Sequence, residues 1–528
     1  MKVIQDTVVQ LTLPYIAADR VLNHIAKSEQ LAEWGTRKEL AIYWGQEEAE
    51  IFARCTDAVQ PSADIPQFPS PMLRDYKWPG IFKPFKHQVD TASFLSIRQR
   101  AFCFNEAGTG KTSAAIWAAD YLMSIGVIKR ALVICPLSIM WSAWQNDIFK
   151  TAMHRKAAVA YGYKSHRTKV INSDYEFVII NYDGVSTVTD ELAKGEFDLI
   201  IIDEANAYKN ATTKRWKTLA KLITEKTWLW MMTGTPASQS PVDAFGLARL
   251  VSPNRVPSFT TAWRDKVMVQ MSRFKWASRP NAQELVHRAL QPAIRFTKNE
   301  CLDLPDVMYQ TRQVELSPQA IMYYKKLKSQ LLIEAAGENI SAVNAAAAMS
   351  KLLQISGGAV YTDAHEVVEF DISPRLNCLG EVLDETLQKV IVFVPFLHTI
   401  GVVTKFLSVE GYSSEVISGS VTARDRANII NKFQTQEHPR VLVIQPQSAS
   451  HGVTLTAADT VVFWSPVLSV ETYLQCIARI DRVGQVNKMT VVHLQGSEVE
   501  RKVYSALQGK VTSHMQLVDL YKQELEEV

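Results

Sequence analysis

Residues 101–119 read AFCFNEAGTGKTSAAIWAA, and the fold is decided there. A short apolar run ends at Phe104, a glycine-bearing turn follows from Asn105 to Gly110, and Lys111-Thr112 opens an Ala-rich stretch. That order predicts a strand, a phosphate loop built with Gly108, Thr109 and Gly110, and a helix N-terminus. Backbone N–H groups of such a loop and the helix dipole favour an anion. Lys111 is then placed to reach the β and γ phosphates, and the Thr112 hydroxyl to ligate Mg²⁺. The pattern GxxxxGK[ST] asks for Gly at position 105, where this chain has Asn. The competing reading is a glycine turn that only caps a helix, and the strands and acidic pair further along the chain argue against it.

Three apolar runs come next: ALVICPL (131–137), FVIINYDG (177–184) and FDLIIIDEANAYKN (197–210). Alternating with helical stretches near 139–149 and 213–224, they predict a parallel sheet whose strand carboxyl ends face the ligand. Asp203 follows four apolar residues and so falls at a strand tip, where it can hold the Mg²⁺ that Thr112 also touches. Glu204 stands one residue further out, suited to orient and deprotonate an attacking water. WLWMMTGTP (228–236) is a further strand, and the hydroxyls of Thr233 and Thr235 at its end are candidates to link a γ-phosphate to the lobe.

NEAGTGKT, CPLS, DEANAYKN and MTGTP resemble motifs I, Ia, II and III of the Swi/Snf-like branch of superfamily-two helicases and translocases, where the loop carries its glycine late, here Gly108. The resemblance implies that Gln88, about twenty residues before the loop, reads the adenine edge. It also implies nucleic-acid contacts at Pro136, Ser138, Lys209 and Asn210. Motif II typically runs DEAH; Asn206 replaces the His, while Lys209-Asn210 is retained. PQSASHGVTLTAAD (446–459) resembles motif V in the form associated with bacteriophage and mobile-element members, with Ser450 where Gly is usual and Thr454 where Asn is usual. QCIARIDRVGQ (475–485) resembles motif VI. Gln475, Arg479 and Arg482 stand at i, i+4 and i+7, which predicts one helix face with both guanidiniums projecting the same way. The resemblance makes them arginine fingers that neutralise charge on the γ-phosphoryl group.

The expected fold class is α/β: two tandem RecA-like parallel-sheet lobes with helical insertions and a small N-terminal accessory unit. Its boundaries are 1–76 for the accessory unit and linker, 77–300 for lobe 1 with an insertion at about 240–300, 301–375 for a helical insertion and crossover, and 376–528 for lobe 2 with a C-terminal brace helix. Residues 2–13 read as an edge strand, 15–54 as one or two helices anchored by Trp34 and Trp44, and Pro61–Gly80 as a linker. An Ala- and Leu-rich insert is expected at about 317–356. In the second lobe, KVIVFVPF (389–396), EVISGS (415–420) and RVLVIQPQSASHG (440–452) supply strands, with helices at 397–408 and through ARDRANIINKFQ, and MTVVHLQGSEVERKVYSALQGKV (489–511) reads as a strand and brace helix.

At 528 residues the chain exceeds one ordinary core, and 47% hydrophobic with 21% charged residues fits a globular enzyme. Net charge is only +3, so a polyanion must meet a local patch. Residues 1–76 carry 7 Lys/Arg against 11 Asp/Glu, whereas 252–300 carry 9 against 3. Within the latter, Arg273 and Lys275 interleave with Trp263, Phe274 and Trp276. That is either a nucleic-acid surface or a helical insert whose aromatics pack inward. Six scattered cysteines without a CxxC pair argue for reduced thiols and against zinc. No stretch suits membrane insertion, so a cytoplasmic monomer is expected, in a bacterial host if phage-encoded.

The reading that these features imply is an ATPase, dependent on DNA and Mg²⁺, that translocates on duplex or branched DNA and acts on DNA or a DNA-bound protein. Two alternatives stand beside it: a branch-migrating or fork-unwinding helicase, and a nucleotide-gated DNA-binding scaffold with slow ATPase.

Overall fold

The computed structural model describes residues 1–57, 66–237, 240–272, 275–301, 305–337, 342–361, 367–449, 454–482, 484–507 and 509. Two units separate: Met1–Val269 with Ala277–Cys301, and Gln270–Trp276 with Leu302–Thr512.

The first unit is built on seven parallel strands, in spatial order Ala293–Ile294, Arg100–Cys103, Trp228–Met232, Leu199–Asp203, Ala131–Cys135, Phe177–Asn181 and Ala157–Val159. The central strands are continuous apolar runs because helices cover both faces. Alternate residues serve opposite cores. Leu132, Ile134, Ile200 and Ile202 pack with Leu229 and Met231 on one side. Ala131, Val133, Leu199 and Ile201 pack with Trp117, Trp144 and Trp230 on the other. The helix Lys111–Ser124 is buried along nearly its whole length, which explains its small residues: Ala114, Ala115, Ala118 and Ala119 let it lie close to the sheet.

The second unit repeats the design with six parallel strands, in order Val307–Gln313, Met489–Gln495, Ala458–Phe463, Lys389–Phe393, Val441–Ile444 and Ser414–Ile417. Helices Ser373–Glu385, Leu397–Val409 and Ala423–Thr435 accompany it, and the insert expected near 317–356 is a pair of helices, Pro318–Gly337 and Ala342–Gly357. Residues 498–507 form a helix that buries Val499, Val503, Tyr504 and Leu507 in the core of this unit. The strand expectations were incomplete here: Val307–Gln313 and Ala458–Phe463 were not anticipated. The first is mostly exposed and mixed in composition, and the second overlaps the 446–459 motif only at Ala458 and Asp459 and continues through residues to which the sequence reading assigns no element.

The N-terminal region differs from expectation. Residues 8–14 are an interior strand of an antiparallel sheet whose order is Lys2–Ile4, Val8–Pro14, Arg37–Tyr43, Ser28–Trp34. Within residues 1–57 only Tyr15–His24 and Gln46–Asp57 are helical. The hairpin turns at Gly35-Thr36, where Gly35 has φ +56°, and Trp34 pairs with Arg37. Trp34 is 56% exposed at this edge and anchors nothing, whereas Trp44 is 6% exposed and donates its indole N–H to the Pro69 carbonyl at 2.8 Å. The described part of the expected linker is packed. Phe68, Ser70 and Met72 are buried, and Trp78 meets Trp117 edge-on at 5.7 Å. Aromatic side chains, invisible to a count of Pro and Ser, tie this stretch down.

Residues 240–300 were expected to lack strands, yet Met268–Ser272 and Lys275–Ser278 form a two-stranded sheet and Ala293–Ile294 joins the main sheet. Trp263 is 2% exposed and bonds the Pro241 carbonyl at 3.1 Å, so this aromatic packs inward.

Candidate nucleotide-binding site

Cys103, Met232 and Asp203 lie side by side on three adjacent parallel strands, since Met232 pairs with both. The phosphate loop, the Thr233–Thr235 turn and the acidic pair therefore all leave the sheet at one edge. A Cβ added at Gly234 would lie 3.3 Å from the Ala107 amide nitrogen, so the threonine turn runs against the loop. Arg295 clamps the two, donating to the carbonyls of Phe104 (2.8 Å) and Gly234 (3.3 Å).

The loop ends at Gly110, with φ +77°, which precedes the helix Lys111–Ser124. The Ala114 N–H donates to the Gly110 carbonyl at 3.2 Å, so the N–H groups of Lys111, Thr112 and Ser113 lie ahead of the first intrahelical bond. Asn105, in place of the motif's glycine, is fully buried. Its Oδ1 accepts from the Phe296 N–H at 3.0 Å and its Nδ2 donates to Thr91 Oγ1 at 2.8 Å. An amide thus fastens the loop's entry to two neighbouring segments.

Gln88 is buried behind the loop. Its Oε1 accepts from the Phe85 N–H at 2.9 Å, and its Nε2 faces the carbonyls of Thr109 (3.4 Å) and Gly110 (3.5 Å). His87 donates from Nε2 to the Thr109 carbonyl at 2.8 Å. Both ends of the Gln88 amide are engaged by the chain, so its visible work is to brace the loop.

Asp203 is 5% exposed, and two neutral donors hold it: Trp144 Nε1 to Oδ2 and the Glu204 N–H to Oδ1, each at 3.0 Å. Burial raises its carboxyl above the ordinary range, opposed by the charge of Lys111. Glu204 is half-buried and adopts φ +51°, ψ +56°, a left-handed conformation costly for a residue with a side chain. Tyr182 Oη spans the same turn, donating to the carbonyls of Asp203 (2.5 Å) and Glu204 (3.2 Å). Asn206 Nδ2 donates to the Thr235 carbonyl (2.9 Å) and Oγ1 (3.1 Å), joining the acidic turn to the threonine turn. A buried carboxylate that accepts from an indole and a peptide N–H, together with the hydroxyl of Thr112 in the first turn of the helix after the loop, is a hard-oxygen donor set that fits Mg²⁺.

Pro136 is buried and Ser138 half-buried at the end of Ala131–Cys135. Lys209 Nζ lies 3.2 Å from Asp243 Oδ2, and Asn210 Oδ1 accepts from the N–H (2.9 Å) and hydroxyl (2.8 Å) of Thr212, closing a local turn. Arg273 and Phe274 lie outside the described residues, as does the side chain of Lys275.

In the second unit, the helix that carries Gln475 runs only from Val470 to Ile477. Arg479 and Arg482 come after it in tight turns, so the expected common face is not formed. Arg479 is 3% exposed, its Nε bonded to the Gln475 carbonyl at 2.9 Å, while the half-exposed Arg482 donates to Thr454 Oγ1 at 2.9 Å. Gln485 organises these turns, donating to the Ala458 carbonyl at 2.8 Å and accepting from the N–H groups of Val486 and Asn487 at 3.1 Å. Gln475 is buried, with its amide 3.5 Å from Glu471. Ser450 lies outside the described residues.

A family model of the SNF2-related domain matches residues 87–361, just over half the chain, and one of the helicase conserved C-terminal domain matches 374–484. The chain belongs to the SNF2-related family. Its two parallel-sheet units are the tandem RecA-like lobes of that family, and the matches begin at His87, beside Gln88, and end at Gly484 within the expected motif VI. An uncharacterized ATP-dependent helicase of Mycoplasma genitalium is 25% identical over 74% of this chain and 37% of its own length. The mouse chromodomain-helicase-DNA-binding protein 1-like is 25% identical over 79% and 47%. The chain thus spans between about a third and a half of these curated relatives. A putative protein p41 of Acyrthosiphon pisum secondary endosymbiont phage 1 is 25% identical over 78% of this chain and 92% of its own. Among solved structures, the Sulfolobus solfataricus SWI2/SNF2 ATPase core in complex with dsDNA is 21% identical with a TM-score of 0.41, covering 85% of this chain and 98% of that one.

Sequence reasoning missed His87, Trp144, Tyr182 and Arg295. His87 was adjacent to a chosen residue and the others carried no local signal: Arg295 lies 191 residues from the carbonyl it bonds.

Proposed function

We propose that this chain is a DNA-dependent ATPase that translocates on duplex DNA. The observation that carries the reading is the register of Cys103, Met232 and Asp203, which gathers a phosphate loop, a threonine turn and an acidic pair at one sheet edge in a SNF2-related chain. The words ATP-dependent helicase and DNA-binding in the names of two relatives support it.

Lys111 and the amides of residues 111–113 bind the triphosphate, and Gly108, Thr109 and Gly110 shape the loop that Gln88, His87 and Asn105 hold from behind. Asp203 and Thr112 would hold Mg²⁺, whose charge offsets that of the β and γ phosphates. Glu204 orients the attacking water and takes its proton. Arg479 and Arg482, with Gln475 supporting them, supply positive charge to the γ-phosphoryl group during hydrolysis. Pro136, Ser138, Lys209, Asn210, Arg273, Lys275 and Thr454 contribute to the DNA-contacting surface. The substrate is DNA, plain or branched, and a DNA-bound protein in its path would be displaced; the motor acts as a monomer in a cytoplasm, that of the bacterial host if phage-encoded. Among the described residues no helix is long and apolar enough to cross a membrane.

The test is ATP turnover by the full chain against single-stranded, duplex, forked and four-way DNA and RNA, paired with displacement of a third strand from a triplex and of one arm from a fork. Duplex DNA is expected to stimulate turnover and the third strand to be displaced. Fork separation without triplex displacement would favour an unwinding helicase. Turnover indifferent to DNA, with ATP changing DNA affinity, would favour a nucleotide-gated scaffold.

A further inference from the structure

Of the two donors that hold Asp203, one is the neighbouring peptide N–H and the other is the indole of Trp144, a residue that none of the chemical motifs includes. We infer that Trp144 is a positioning residue for Asp203: its N–H fixes the carboxylate's orientation at the mouth of the phosphate loop while leaving its charge intact. This rests on the reading of that edge as the nucleotide site.

The residue type suits the task. An indole has one N–H donor, no acceptor and no charge, so it can orient a carboxylate without neutralising it, whereas Lys or Arg at the same point would form an ion pair and compete with a cation. Trp144 is fully buried and packs in the core that contains Ile139, Met140, Ile148 and Ile201, so its ring cannot swing away. It sits in a wide turn with π-type hydrogen bonding, Met140–Gln145, between the tight turn Leu137–Ile139 and the helix Asn146–Thr151. Such turns are local departures from α-helical register. Here the departure ends with the indole nitrogen 3.0 Å from Oδ2 of a residue 59 positions away. The opposite oxygen is committed to the Glu204 N–H, so removing the indole bond leaves the carboxylate anchored at one point and free to rotate.

The test uses the full chain and Trp144→Phe, which keeps an aromatic ring and removes the donor. Binding of a fluorescent ADP is measured without Mg²⁺ and across a Mg²⁺ titration. The variant is expected to bind ADP alone as the wild type does but to need about tenfold more Mg²⁺ for half-saturation, the loss of one hydrogen bond to a charged group. A purely structural role would weaken both affinities together, and unchanged Mg²⁺ half-saturation would overturn the inference. Should the variant not fold, wild-type chain labelled with ¹⁵N at its indoles supplies the second measurement. One indole signal is expected to move both in Asp203→Asn and when Mg²⁺ is added to the ADP complex; if none responds to Asp203→Asn, the inference fails. Wild-type ADP binding that ignores Mg²⁺ would instead count against the nucleotide-site reading itself.

Discussion

Gly110 and Gln88 form a pair whose coupling can be worked out. At Gly110 the backbone has φ +77°, and a Cβ there would fall 2.0 Å from Gln88 Nε2. Gly110→Ala therefore costs about 1–2 kcal/mol for the left-handed conformation. It also displaces the Gln88 amide, stranding the Phe85 N–H, for about another 1–2 kcal/mol. Gln88→Ala alone loses only the second contribution, about 5- to 30-fold in nucleotide affinity if the loop bears the loss. In the double variant the clash is gone and each contribution is counted once, so it should bind ADP no worse than Gly110→Ala. The assay is competition of ADP, ATP and GTP against a fluorescent ADP for the four proteins. Because both ends of the Gln88 amide are engaged by backbone, Gln88→Ala should weaken ATP and GTP alike. Additive losses in the double variant would refute the brace, and a selective loss of ATP over GTP would show that Gln88 reads the base.

Other parts of the molecule make three further outcomes testable. Glu500 is fully buried and takes both oxygens to Arg375 Nη2 at 2.9 Å, as well as the N–H groups of Gly496 (2.7 Å) and Ser497 (3.0 Å); Glu500→Gln or Arg375→Met should each cost the second unit about 3–5 kcal/mol by urea unfolding, and the double change to apolar residues much less. Burial lowers the His493 pKa to about 4, so between pH 6.5 and 4 the unfolded chain takes up a proton that the folded chain refuses. Stability should then fall by about 3 kcal/mol as pH drops through that window, and His493→Phe should remove that increment; identical pH slopes in urea unfolding would contradict it. Glu204→Gly relieves the φ of +51° and should raise stability by up to about 1 kcal/mol while cutting turnover by about 10²–10⁴-fold, whereas Glu204→Ala should cut turnover without the gain.

The parts of this structure that a linear reading reaches are those where burial on both faces makes a strand wholly apolar. Leu199–Asp203 and Trp228–Met232 announce themselves, and an acidic residue or threonine at their ends is visible for the same reason. Where a strand is largely exposed, as in Ser28–Trp34 and Val307–Gln313, the apolar signal thins and the strand is lost among polar residues. The packed stretch at 66–80 hides because its hold comes from Trp78 on Trp117 and Trp44 on Pro69, contacts made across sequence distance. The site divides along the same line. Lys111, Asp203 and Glu204 are local to their motifs, whereas Trp144 and Arg295 act through pairings that only the closed sheet creates. The spacing of Gln475, Arg479 and Arg482 implied a helical face, but the helix stops at Ile477, where Gln485 bonds the carbonyls of Ile480 (3.3 Å) and Ala458 (2.8 Å) and holds the chain in turns instead.

Phosphate release from ATP by the full chain, with and without saturating linear duplex DNA and beside Lys111→Ala, is the decisive measurement for a motor driven by DNA. Release is expected to rise with duplex and to fall by about 10²–10³-fold or more in Lys111→Ala. Full release from Lys111→Ala, or a wild-type rate that duplex leaves untouched, would contradict it.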